Sequence, residues 1–264
     1  MKITNLKKLK PKKLIVFDLD GTLVPSKSIM DREMSQLLTK LLSKSKVAVI
    51  GGGNYAHFTH QLLDQFKAPK YLYGNLFLFP TTSTVFYLFK NSWKKIYSHG
   101  LSRKQVKQIF TAFERVFKEM HYQHPKKTYG NIIEDRGTQV TFSVYGQDIA
   151  TVLGKKGIKM KQDWREKNNS LKLKMAKRVA KYLPDLEVRA AGVTSIDVTK
   201  KGIDKAYGLT QIQKYLGVKI KDMVFIGDAI FPGGNDYAVV RMGVDYIPIK
   251  GPSETKKIIR HLLG

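Results

Sequence analysis

Two short apolar runs, each ended by acidic residues, constrain this chain more than anything else in it. Leu14-Ile-Val-Phe17 runs into Asp18-Leu-Asp20-Gly-Thr22. Met223-Val-Phe-Ile226 runs into Gly227-Asp228, and a Gly233-Gly234 turn then carries Asn235 and Asp236. Apolar runs of this length bounded by turn signals read as buried strands. A carboxylate at the mouth of a buried strand is expensive to desolvate unless something compensates its charge. Two such sites, far apart in sequence, point to one shared cation, and magnesium suits an all-oxygen donor set. Direct sharing of one ion requires the Asp18 and Asp228 carboxylates to lie within ~8 Å of each other.

The rest of the pattern says what carries these sites. Strand-like runs alternate with helical ones at both ends of the chain. Val47–Ile50 is a second strand, closed by Gly51-Gly52-Gly53. Helices are expected over about 31–43, 55–66, 204–215 and 253–262, with a further strand at Tyr246–Ile249. Strands alternating with helices imply an α/β domain with a parallel sheet covered on both faces. Ligands of such sheets sit beyond the carboxyl ends of the strands, where the acidic motifs fall. The middle reads differently. An amphipathic helix over 103–120 is followed by strands near 131–134 and 139–144, a lysine-rich helix over 169–182, and strands near 187–190 and 195–198. This predicts a core from residues 1–90 and 200–264 and an inserted α+β domain from 91–199, with the two junctions acting as hinges.

Composition narrows the partners. The chain has 264 residues, no cysteine and a formal net charge of +26. Disulfides and thiolate metal sites are excluded. The longest apolar runs are strand-sized, so no membrane span is expected, and the basic N-terminus lacks a signal peptide's apolar core. A cytoplasmic protein is the expectation. The charge attracts anions, but only nine of the 47 basic residues are arginine, and the lysines are spread along the whole chain. Base readers use clustered arginine forks, so nucleic acid is expected to bind only non-specifically, if at all. The histidine pairs His57/His60 and His121/His124 lack a third ligand nearby in sequence and read as ordinary residues.

The chemistry follows from residue types. Residues two apart on an extended segment face the same side, so Asp18 and Asp20 can enter one cleft. One carboxylate can attack phosphorus, and the other can protonate a leaving oxygen and later deprotonate water. The bland alternative is a solvated turn with capping acids, against which stand the apolar run before it and the matching distal site. Lys205 opens a helix, where its charge opposes the dipole, so an anionic partner is expected for it. The turn Gly51-Gly52-Gly53-Asn54 presents backbone N–H groups at a helix start, a natural anion cradle.

Taken together, Asp18-x-Asp20-Gly-Thr, the glycine turn, Lys205 and Gly227-Asp228 with Gly-Gly-Asn-Asp236 resemble the four motifs of the haloacid-dehalogenase (HAD) superfamily, large-cap subfamily IIB. Pro232-Gly-Gly-Asn-Asp-Tyr237, Ile133-Glu-Asp-Arg136, Ser195-Ile-Asp197 and Gly202-Ile-Asp-Lys205 resemble signatures of its eukaryotic-type phosphomannomutase branch. The resemblance implies a Rossmann-like parallel-sheet core with an inserted α+β cap. It implies Asp18 as nucleophile and magnesium ligand, Asp20 as acid/base and as a ligand through its carbonyl, and Asp228 as metal ligand. Asn235 and Asp236 would support the metal, Lys205 would steady the phosphoryl oxygens, and Gly52, Gly53 and Asn54 would hold the phosphate. In the cap, Arg136, Ser195 and Asp197 would contact a small phosphorylated metabolite.

Two departures shape the reading. The second motif normally offers a Ser or Thr hydroxyl, and none of Gly51 to Gly53 has one. Where the mutase branch has an arginine after Ser143-Val-Tyr-Gly146, this chain has Gln147, and a mutase must grip phosphate at both ends of its sugar. The expected function is a magnesium-dependent phosphohydrolase of small phosphomonoesters, sugar phosphates foremost, with a phosphomannomutase-type mutase second. A nucleic-acid-binding protein on a decayed scaffold of this type is the non-enzymatic alternative. The oligomeric state is left open, a homodimer included.

Overall fold

The computed structural model describes residues 1–26 and 28–264, with Lys8 as backbone alone. In chain order the elements are β1 (Leu14–Asp18), α1 (Arg32–Leu42), β2 (Lys46–Ile50), α2 (Tyr55–Gln61), β3 (Leu76–Phe79), β4 (Val85–Lys90), β5 (Ser92–Ser98), α3 (Arg103–Glu119), β6 (Ile133–Asp135) and β7 (Val140–Ser143). Then come α4 (Ile149–Leu153), α5 (Lys155–Tyr182), β8 (Leu186–Ala191), β9 (Ser195–Lys200), α6 (Lys205–Leu216), β10 (Met223–Gly227), β11 (Asp245–Pro248) and α7 (Pro252–Leu263).

The first and last parts of the chain build one seven-stranded sheet, ordered β11-β10-β1-β2-β3-β4-β5. The strands from β11 to β3 run parallel, and β4 and β5 add an antiparallel edge. Side chains alternate across the sheet, and both faces are apolar. Ile15, Phe17, Val47, Val49, Val224 and Ile226 share one cluster with Met34, Leu38 and Leu41 of α1, Phe58 of α2 and Ile259 of α7. Leu14, Val16, Ala48, Ile50 and Phe225 share the other with Leu209 and Ile212 of α6. Truncating a ring such as Phe17, fully buried in this packing, costs about 3–5 kcal/mol.

Local signals set the helix starts. The Asp31 carboxylate accepts the Met34 N–H (2.9 Å) at the head of α1, and Asn54 and His57 close a reciprocal cap at the head of α2. These caps satisfy N–H groups that the helix itself cannot.

The second unit spans His99–Ile203, with residues 233–235 grouped beside it. Its four-stranded antiparallel sheet runs β6-β7-β9-β8. Val140, Phe142, Ile196 and Val198 pack against Ile109, Phe113 and Val116 of α3 and Met175 and Val179 of α5. Thr141, Ser143, Ser195, Asp197 and Thr199 alternate with these residues and so take the opposite face.

Three expectations need correction. The core unit runs to Ser98 rather than 90, because β5 completes an antiparallel hairpin with β4 on the core sheet. The return junction falls at Ile203/Asp204 rather than 199/200, since β9 continues to Lys200 and pairs with β8. The lysine-rich helix begins at Lys155, well before 169, and breaks its helical geometry once, at Asn168.

Candidate active site

Register brings the acidic motifs together. Asp18 pairs with Ile50 across β1 and β2, and Phe17 pairs with Ile226 across β1 and β10. The carboxyl ends of three adjacent strands therefore lie level, with Asp18 on the central one and Gly227-Asp228 and Gly51 on its neighbours. Carboxylate oxygens of Asp18, Asp228 and Asp236 all lie within 4.8 Å of one another. Glycine permits this crowding. A Cβ on Gly21, which has φ +84°, would come within 2.5 Å of an Asp228 oxygen, and one on Gly227 would meet the Asp236 carboxylate.

Lys205 is fully buried at the first turn of α6, behind an Asp204 cap that accepts the Tyr207 N–H (2.8 Å). Its Nζ donates to Asp18 Oδ1 at 2.5 Å and also to Asp236 Oδ1. The second Asp236 oxygen accepts the Ala229 N–H at 3.1 Å, which ties the Asp236 loop to the end of β10. Thr22, buried, donates its hydroxyl to Asp18 Oδ2 at 3.4 Å.

The electrostatics follow from three carboxylates close to one ammonium in a largely buried site. Burial pushes the Asp18 carboxyl well above its usual range, and the charges of Asp236 and Asp228 add to the rise while Lys205 opposes it. Burial, and then Asp236, raises Asp228 to about 6. Burial alone would lower the Lys205 ammonium, but Asp18 and Asp236 outweigh it and hold the group above the ordinary lysine range. With all three carboxyls ionised, the cluster would carry more negative charge than the single Lys205 ammonium neutralises. Hard oxygen donors, that excess and the close approach over Gly21 fit a divalent cation such as magnesium.

Asp20 is directed by a residue the sequence reading missed. The Gln61 side chain, buried at the end of α2, donates from Nε2 to Asp20 Oδ1 at 3.1 Å. No local signal marks Gln61. Its partner lies in another motif, and a lone polar residue ending an amphipathic helix reads as solvated.

The glycine turn is held from behind. Thr82 N–H donates to the Gly51 carbonyl and Thr81 N–H to the Gly53 carbonyl, each at 2.8 Å. Thr81, Thr82 and Ser83 all have positive φ, an unusual state for non-glycine residues and above all for the β-branched threonines. Asn54 spends its side-chain oxygen on the His57 N–H and its own N–H on His57 Nδ1, and so caps α2. A Cβ at Gly53 would sit 2.9 Å from the His57 Cβ, so a hydroxyl-bearing residue at that position would force His57 to move.

In the cap unit, Arg136 sits between exposed Asp135 and Gly137, but its side chain is largely buried. Its Nε donates to Glu134 at 2.5 Å and its Nη2 to Gln147 Oε1 at 2.9 Å. Gln147 Nε2 reaches the Thr141 carbonyl at 3.1 Å, and the Thr141 hydroxyl donates to Asp197 Oδ1 at 2.9 Å. Arg136 and Asp197 are therefore two ends of one hydrogen-bonded chain, with Ser195 on the same strand face as Asp197. Asn235 is grouped with the second unit and directly precedes Asp236 in the chain.

A parallel sheet with a buried strand-end aspartate, a lysine bridging it to a second acid, and an inserted α+β unit defines a haloacid-dehalogenase-type enzyme. The family model of the haloacid dehalogenase-like hydrolases matches residues 15–240, and the chain belongs to that family. Among characterised proteins it is similar to the phosphomannomutase of Saccharomyces cerevisiae, with 27% identity over 97% of this chain and 96% of that one. The phosphomannomutase of Encephalitozoon cuniculi is 28% identical over 96% and 94% of the two chains. Among solved structures, the IMP-nucleotidase of Plasmodium falciparum superposes with a TM-score of 0.72 at 16% identity, covering 98% of this chain and 70% of that one. No helix among the described residues is long and apolar enough to cross a membrane.

Proposed function

We propose that the protein is a magnesium-dependent phosphohydrolase of small phosphomonoesters, sugar phosphates in particular, acting through an aspartyl-phosphate. The observation that carries this reading is the buried Asp18–Lys205–Asp236 contact at the level strand ends. An Asp18 carboxylate oxygen attacks phosphorus, and the ester oxygen leaves with a proton from Asp20. Asp20, now ionised, takes a proton from water, and that water releases phosphate from Asp18. Lys205 stays charged throughout, facing the equatorial oxygens as their charge grows. Asp18 and Asp228, with the Asp20 carbonyl, would hold the magnesium ion, supported by Asp236 and Asn235. When bound, the ion offsets the repulsion between carboxylates and phosphate. The N–H groups of Gly52 and Gly53 take the phosphate in this reading, and Asn54 acts through its cap. In the cap, Arg136, Ser195 and Asp197 select the substrate.

A second reading, a phosphomannomutase-type mutase, is favoured by similarity to phosphomannomutases over nearly the full chain. Against it stands the cap. Gln147 occupies an expected arginine position and accepts a hydrogen bond from Arg136, engaging a donor that a distal phosphate would need. A panel of phosphorylated metabolites assayed for free phosphate, with and without magnesium, tests the first reading. Mannose 1-phosphate with a hexose bisphosphate, scored for isomerised product, tests the second. Isomerisation without phosphate release would replace the hydrolase reading by the mutase one.

A further inference from the structure

Gln61 holds three groups at once. Its Nε2 donates to Asp20 Oδ1 (3.1 Å) and to the Ser28 carbonyl (3.3 Å), and its main-chain carbonyl accepts the Met30 N–H (2.8 Å). The side chain is buried at 2% exposure, so neither bond is readily exchanged for water. The Ser28 and Met30 contacts both tie α2 to the loop after the first motif. The bond to Asp20 is therefore not needed for that tie. An amide with both N–H groups engaged, one on a fixed backbone carbonyl, has its plane set, and it sets its carboxylate partner in turn.

We infer that Gln61 is a positioning residue for the proton-transfer step. It fixes Oδ1 of Asp20 so that the carboxyl group faces the leaving oxygen rather than rotating within the cleft. The inference rests on the reading of Asp20 as acid/base. A general acid works only within hydrogen-bond reach of its target, about 2.6–3.2 Å, and a displacement of about 1 Å costs roughly 100-fold in rate. An apolar residue at 61 would remove this hold on Asp20 Oδ1 while leaving the Asp18–Lys205 contact in place.

The test is Gln61→Met, which keeps the length of the side chain and removes its donors. kcat/KM is measured on an alkyl phosphate, whose leaving oxygen needs a proton, and on p-nitrophenyl phosphate, whose leaving group does not. The expected result is a loss of roughly 10- to 100-fold on the alkyl ester and under about threefold on the aryl ester. In an Asp20→Ala background the same substitution should add no further loss. Gln61→Asn, too short to span Asp20 and Ser28 together, should repeat the pattern and serves if the first variant folds poorly. Equal losses on both esters, or a full additional loss without Asp20, overturn the inference. If Asp20→Ala is itself indifferent to the leaving group, the acid/base reading falls, and this inference falls with it. If Asp20→Ala is selective and Gln61→Met is not, only the positioning role is wrong.

Discussion

Asp228→Asn should make the metal-free protein more stable at neutral pH while removing activity. The side chain is mostly buried beside Asp236, and its carboxyl group titrates near 6 instead of 3.8. A folded-state value above the unfolded one means that the folded form holds a proton which the unfolded chain releases first. Stability from this group is therefore complete below pH 4 and is lost as the pH climbs through 6. At 1.36 kcal/mol per pH unit, the rise corresponds to roughly 3 kcal/mol of destabilisation at pH 7. An amide of the same shape carries no such penalty and lessens the repulsion felt by Asp18 and Asp236. Urea denaturation in EDTA at pH 4, 5, 6 and 7 measures both effects. The variant should gain about 2–3 kcal/mol at pH 7, gain little at pH 4, and no longer respond to added magnesium. A variant less stable than the parent at pH 7, or one with an unchanged pH slope, would refute the idea that repulsion and burial are held in place here for function.

The remaining predictions probe the same site from other sides. Asp18→Asn should abolish turnover with the fold intact by circular dichroism, and retained activity would remove Asp18 as nucleophile. Lys205→Met leaves two buried acids without their cation and should cost about 3–5 kcal/mol in urea denaturation at pH 7, with magnesium restoring more stability than it adds to the parent. Gly53→Ser, meant to supply the absent hydroxyl, should instead lower the melting temperature and leave kcat/KM no higher, because its Cβ collides with His57. Arg136→Ala should raise KM for the true substrate and hardly alter an aryl phosphate, and equal effects on both would assign Arg136 to the stability of the cap unit.

The acidic motifs could be placed from sequence because their context is local: four apolar residues, a break, and acids at a strand mouth. The same holds for α1, α3 and α7, whose apolar spacing agrees, although α7 starts at Pro252 behind Gly251 without the side-chain cap its sequence suggests. The antiparallel β4–β5 edge was hidden for a physical reason. Ser92-Trp-Lys-Lys-Ile-Tyr-Ser98 is half exposed, and an edge strand carrying lysines gives no clean apolar alternation. The first half of α5 was missed because Lys155–Lys167 offers few apolar residues, no side-chain cap and a glycine within its first turn. Thr81-Thr82-Ser83 was unreadable as a left-handed turn, since threonine favours extended backbone and the bonds that brace it come from chain brought close by folding, among them the Gly51 and Gly53 carbonyls and the Tyr97 hydroxyl. Gln61 became visible only when its distant partners met.

The order β10-β1-β2 also sets a timetable for synthesis. β1 pairs on one side with β2, which leaves the ribosome soon after it, and on the other with β10, which is made only after the whole second unit. Through that interval the future centre of the sheet has an open edge beside Leu14, Ile15, Val16 and Phe17, all fully buried in the finished protein. The continuous unit His99–Ile203 can complete its own pairing first, as domains fold as units during translation. The nascent chain therefore has to wait with a sticky strand exposed, and the nucleophile meets Lys205, Asp228 and Asp236 only when that edge closes. Truncated chains ending before residue 223 should accumulate on chaperones or in aggregates, whereas the isolated second unit should remain in solution.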